Sequence, residues 1–156
     1  MLIGLKEALD FGEQHNCGIA AINTPTFEML VATINVAERY NIPMILQHAE
    51  VHEPVNSIEN IGPAMVELAK RSTAPLVVHV DHGESYDFVK RGFDVGFNSA
   101  MFDGSRLAYE ENLKVTKDVV ALANEYGYGV EAELGVMPGR EDGEDSDAGV
   151  GDAALY

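Results

Sequence analysis

Apolar and polar positions along this chain follow two alternating periods. Short apolar runs recur, and between them the apolar residues fall three and four apart, so strands and amphipathic helices take turns. Residues 18–23 form the first run, and Thr24-Pro25 after it has the form of a helix cap with proline at the first helical position. Phe27, Leu30, Val31, Ile34 and Ala37 then share one helical face. The second run spans 43–47, and a helix over 60–72 carries Ile61, Met65, Leu68 and Ala69 on one side. The third run spans 76–81. A short helix is expected over 85–91, with Gly92 as its stop. Residues 97–102 are the fourth run and end at Asp103-Gly104-Ser105. The longest helix is expected over 108–126, ended by Gly127. Leu113, Thr116, Val120 and Ala123 share its face, and Glu110 is spaced to pair with Lys114. Residues 129–134 are the fifth run.

The order is strand then helix four times over, followed by a strand. Each connection is long enough for a helical crossover, so the strands are expected to run parallel in an α/β fold. Past Gly135 the periodicity stops. Residues 136–152, rich in glycine and acid, are expected to form a mobile acidic loop.

Composition narrows the function. The 156 residues include 26 acidic and 10 basic ones, a net charge of −16. That excess argues against a nucleic-acid backbone or an anionic membrane surface as partner. A phosphorylated small molecule stays compatible, because a pocket can be locally positive on an acidic protein. The single cysteine, Cys17, allows no internal disulfide and no cysteine-based zinc site, which fits a reducing compartment. No segment reaches the ~20 apolar residues of a membrane span. Acid at Glu7 comes too early for a secretory signal, so a cytoplasmic soluble protein is expected.

Candidate chemistry gathers where the apolar runs end. His79-Val80-Asp81-His82-Gly83 closes the third run, Asp103 follows the fourth, and Glu133 closes the fifth. Burying such groups is costly unless they are paired or bound to a metal. On neighbouring parallel strands they would meet on one rim, the side where α/β folds place their chemistry. One imidazole with two carboxylates suits a divalent transition metal, zinc among them. Taken singly, each has a structural reading too: a hydrogen-bonded histidine, a helix-capping turn, an ion pair. His48, Glu50 and His52 would share a face if their segment were a strand, a second possible ligand set, although Pro54 follows at once and a solvated loop is the plainer reading.

Together these residues resemble the class II, zinc-dependent ketose-bisphosphate aldolases (fructose or tagatose bisphosphate). The resemblance runs through Ala20-Ala21-Ile22-Asn23, residues 76–83, Met101-Phe102-Asp103-Gly104-Ser105, Glu110-Glu111-Asn112, Thr116-Lys117, Val130-Glu131-Ala132-Glu133-Leu134-Gly135 and Gly139-Arg140-Glu141-Asp142-Gly143. His-x-Asp-His-Gly followed by Glu-x-Glu-Leu-Gly is its most specific part. It implies a TIM (β/α)8 barrel, of which the chain carries about the first five strands and four helices. It also implies a homodimer or larger assembly and reversible cleavage of a phosphorylated ketose.

By position, Asp81 becomes the general acid/base at the aldehyde oxygen and His82 a ligand of the catalytic zinc. Asp103 and Glu133 form or support a second cation position, divalent or monovalent. Glu141 becomes the loop carboxylate that moves a proton, and Asn23 contacts substrate. Two departures stand out: Ala49 occupies a place where many relatives carry a substrate-touching serine, and Pro138 replaces a small or flexible loop residue. The family's two further zinc histidines and its glycine-rich phosphate loop are expected beyond Tyr156, so little aldol cleavage is expected of these residues alone. The competing expectations are a non-catalytic half-barrel that binds a metal or a partner, and a sibling activity on another phosphorylated ketose.

Overall fold

A computed structural model describes residues 1–135. The elements in chain order are α1 (Leu5–His15), β1 (Ala20–Asn23), α2 (Phe27–Tyr40), β2 (Met44–Ala49), α3 (Ile58–Arg71), β3 (Leu76–Gly83), α4 (Tyr86–Val95), β4 (Ser99–Phe102), α5 (Tyr109–Tyr126) and β5 (Gly129–Ala132). A 3-10 turn, Glu50–His52, follows β2. The five strands form one parallel sheet in the order β1-β2-β3-β4-β5. Strands that pair in chain order, each linked by a helix on the same side, are the winding of a (β/α) barrel.

Alternation along the strands decides what each face buries. Met44, Leu46, Leu76, Val78, Val80, Ala100 and Phe102 pack against Leu30, Ile34, Ile61, Met65, Phe88, Phe93, Val119 and Ala123 of the helices. Residues one step out of phase face the other way. Ile45 and Val77 there meet Leu5 and Ala8 of α1. The strand register sorts these inner positions into rows. Ala21, Ile45 and Val77 lie lowest, then Asn23, Gln47, His79 and Ser99, then Ala49 and Asp81. Apolar rows thus sit at the amino end of the sheet and polar rows at its carboxyl end.

The structure moves several expected boundaries. Helix α1 was not anticipated; only Leu5, Ala8 and Gly12 of it are buried, a stripe too thin to stand out in its acidic sequence. Thr26, rather than Thr24-Pro25, caps α2, its hydroxyl accepting from Met29 N at 3.4 Å. Phe27 does not join the core and is 53% exposed. Gly92 does not stop α4, which runs on to Val95 and ends at Gly96 with φ 102°. Gly92 is instead a point of close approach, where a Cβ would stand 2.2 Å from Val80 Cγ2. The buried face of α5 is Asn112, Val119, Leu122 and Ala123, and Val120 points outward. Strand β5 stops at Ala132, so Glu133 lies just past it.

Candidate active site

The carboxyl ends of the strands converge, and β3 ends irregularly. Its register with β4 shifts between Val80 and Gly83. Within that step His82 adopts φ 42°, left-handed backbone that a residue with a Cβ adopts at a cost. Asp81 keeps its place on the inner face, while His82 is carried to the rim.

Asp103, just past β4, meets His82 there. Its backbone N donates to Gly83 O at 2.9 Å, and its Oδ2 lies 2.8 Å from His82 Nδ1. Its other oxygen, Oδ1, accepts from Ser105 Oγ at 2.6 Å and Ser105 N at 3.1 Å. Glu133 Oε2 lies 3.6 Å from the same His82 Nδ1. Donor atoms of His82, Asp103 and Glu133 all fall within 4.8 Å of one another. Two carboxylates crowding one imidazole nitrogen repel each other unless a cation lies between or beside them. One nitrogen and two oxygens at a partly exposed rim fit zinc or a similar divalent ion with room for a further ligand. Among the described residues no other such group of three donors occurs.

Asp81 is 9% exposed and held by two neutral donors. Asn23 Nδ2 donates to its Oδ2 at 2.9 Å, and Gln47 Nε2 to its Oδ1 at 3.1 Å. Asp81 Oδ1 also lies 3.9 Å from His82 Nε2. Carboxylate and imidazole therefore sit side by side, one fixed from β1 and β2, the other from β4. Beneath them His79 is 1% exposed, its Nδ1 2.6 Å from Ser99 Oγ. Burial pushes its imidazole down to about 4. Two buried atoms of this row, Asn23 Oδ1 and His79 Nε2, have no hydrogen-bond partner among the described residues.

The structure brings Asn23, Asp81, His82, Asp103 and Glu133 together at one end of the sheet. Glu141 lies outside the described residues. His48, Glu50 and His52 do not share a strand face, because β2 ends at Ala49 and the next three residues turn as a 3-10 helix. His48 faces the helix layer, fully buried near Phe88 and 3.5 Å from Glu53 Oε1, and burial lowers its pKa. Glu50 turns instead toward the segment after β3, accepting from Glu84 N at 2.7 Å.

Sequence reasoning missed Gln47, Ser105 and Asn112 as supports of the site. Asn112 is 4% exposed, donates from Nδ2 to Glu133 O at 2.9 Å and accepts from Thr116 Oγ1 at 3.0 Å. A polar residue two turns ahead of Val119, in line with the buried apolar face of α5, was the signal available.

The profile of the class II fructose-bisphosphate aldolase family matches residues 3–155. A fructose-bisphosphate aldolase of Mycoplasma pneumoniae is 33% identical over 146 residues, which cover 92% of this chain and 50% of that protein. One from Staphylococcus aureus is 35% identical over 144 residues, covering 90% and 50%. The crystal structure of the YdjI aldolase from Escherichia coli K12 superposes with a TM-score of 0.82 at 32% identity, covering 88% of this chain and 54% of that one. The chain spans about half the length of the curated relatives it matches.

Proposed function

Because the chain belongs to the class II fructose-bisphosphate aldolase family, we propose that the whole protein cleaves fructose 1,6-bisphosphate reversibly into dihydroxyacetone phosphate and glyceraldehyde 3-phosphate. The observation that carries this reading is the adjacency of a pinned carboxylate, Asp81, to the His82, Asp103 and Glu133 donor set. Asp81 takes the proton from the C4 hydroxyl as the C3–C4 bond breaks and returns it in the condensation direction. Asn23 and Gln47 aim its oxygens, and Asn23 Oδ1 is left to meet a substrate hydroxyl. Glu141 delivers a proton to C3 of the dihydroxyacetone phosphate half. His82 would hold a zinc ion, with Asp103 and Glu133 completing its site or supporting a second cation, and that ion would supply Lewis acidity for the ketone carbonyl. Homodimeric or larger assembly and a cytoplasmic location belong to the same reading.

The choice between fructose and tagatose bisphosphate turns on one stereocentre. Ala49 stands in register beside Asp81 and is 3% exposed, so its methyl group offers no hydrogen bond where a serine would. Activity on a sibling ketose bisphosphate is the alternative that this position favours.

The test is to incubate the purified whole protein with each ketose bisphosphate and follow the released glyceraldehyde 3-phosphate. The expected result is cleavage that a chelator abolishes, that zinc restores and that Asp81→Ala loses. Failure to cleave either substrate overturns the aldolase reading. Metal uptake without cleavage would move the assignment to a metal-binding half-barrel.

A further inference from the structure

We propose that Glu50 is a positioning residue that braces the strand end carrying His82; the metal half of its test rests on the metal site proposed above. The segment 82–85 has to be held by something outside its own strand. His82 is in left-handed backbone, the β3–β4 register slips beside it, and α4 begins at Tyr86. Glu84 and Ser85, the two residues before α4, are gripped by one side chain. Glu50 Oε2 accepts from Glu84 N at 2.7 Å, and Glu50 Oε1 lies 3.4 Å from Ser85 Oγ. Ser85 Oγ in turn caps α4 by accepting from Phe88 N at 3.1 Å. The carboxylate therefore holds residues 84 and 85, the last two before α4, while Gly83 next to His82 is paired to β4.

Glu50 is itself well placed to act as a fixed point. It follows Ala49, which is paired in register with Asp81, so the two strand ends advance together. Its 3-10 turn is closed by Glu53 N donating to Glu50 O at 3.1 Å. Ala49 N donates to His52 Nδ1 at 3.3 Å within the same turn. Glu50 is not among the residues whose donor atoms converge on the candidate metal position. Its effect on that position is therefore mechanical, through the direction in which His82 leaves the strand.

Reach and charge make opposite predictions, which gives a clean test. Glu50→Gln keeps the length and one acceptor oxygen for Glu84 N, and its amide can donate to Ser85 Oγ. Glu50→Asp keeps the charge and is one methylene too short. Zinc affinity would be measured by chelator competition on the full chain, with amide hydrogen exchange at Glu84 followed in parallel. Loss of an orienting partner typically weakens metal binding about 10- to 100-fold. That loss is expected for Glu50→Ala and Glu50→Asp, together with faster exchange at Glu84, whereas Glu50→Gln stays near the parent. Glu53→Ala is the control: it removes the acceptor of Ile58 N and an Arg91 partner on the same loop without touching 82–85. It should lower stability and leave zinc affinity in place.

Zinc affinity retained by Glu50→Asp and lost by Glu50→Gln would overturn bracing in favour of a charge effect. Unchanged affinity and exchange in Glu50→Ala would overturn it outright. Should that variant fail to fold, the Gln-against-Asp order still decides. A parent chain that takes up no zinc would sink the metal reading instead, and the Glu84 exchange rates would still judge the brace.

Discussion

Asn112 Nδ2 donates to the backbone carbonyl of Glu133 at 2.9 Å, so helix α5 fixes where the chain leaving β5 presents its carboxylate. The same side chain leaves no room opposite: a Cβ on residue 104 would stand 2.3 Å from Asn112 Oδ1. The turn after Asp103 and the segment after β5 are thereby locked to one helix. Gly104→Ala is expected to destabilise the protein by about 1–3 kcal/mol through overpacking. Asn112→Ala is expected to cost about 1–3 kcal/mol because Glu133 O loses its donor. Urea unfolding of both variants checks the values, and unchanged midpoints would remove the lock.

Gly92 and Val80 make a second coupled pair. Alanine favours a helix interior over glycine by about 1 kcal/mol. Here that gain is outweighed, since the added methyl would meet Val80 Cγ2 at 2.2 Å. Gly92→Ala should therefore destabilise, and Val80→Ala in the same chain should recover part of the loss. A double-mutant cycle should return a coupling of about 0.5–3 kcal/mol. Simple additivity would mean that the approach of α4 to β3 relaxes at no cost.

Acid should unfold the protein partly through His79. Burial holds its folded pKa at about 4, below the ordinary histidine value of 6.5. The unfolded chain thus binds more protons between those values, and stability rises with pH across that window. The neutral-state contribution is complete above about pH 6.5 and is lost as pH falls toward 4. The size is on the order of 3 kcal/mol. His79→Gln should flatten the dependence of unfolding free energy on pH from 4 to 6.5. An equally steep curve in that variant would assign the titration elsewhere.

Asp81 owes its aim to Asn23 and Gln47. Asn23→Ala and Gln47→Ala are each expected to lower the rate of ketose-bisphosphate cleavage by about tenfold or more, since small misplacements of a catalytic group cost that much. Zinc content should stay at the parent level in both. A fall in zinc content matching the fall in rate would show that these amides support the metal position instead.

The sheet was legible in the sequence because its strands are short apolar runs separated by amphipathic helices of ordinary length. All five appear close to their expected places. Boundaries shifted where a residue had two plausible duties. Gly92 looks like a helix stop in one dimension, and only the packing of α4 on β3 turns it into a contact point. Helix α1 escaped because its buried stripe is narrow. Asp81, His82, Asp103 and Glu133 were readable because charge at the end of an apolar run is costly and therefore conspicuous. Gln47, Asn112 and Glu50 were not read as supports. Their roles depend on register and on contacts between segments 34 residues apart for Gln47 and Glu50 and 21 apart for Asn112, which periodicity does not encode.

The central claim is that His82, Asp103 and Glu133 form one divalent-cation site. Titrating the chain with cobalt(II) and recording its d–d absorption tests this most directly, because those bands report the ligands themselves. The account predicts one saturable site whose bands disappear in His82→Ala and shift or weaken in Asp103→Ala and Glu133→Ala. Identical spectra and stoichiometry in all three variants would contradict it.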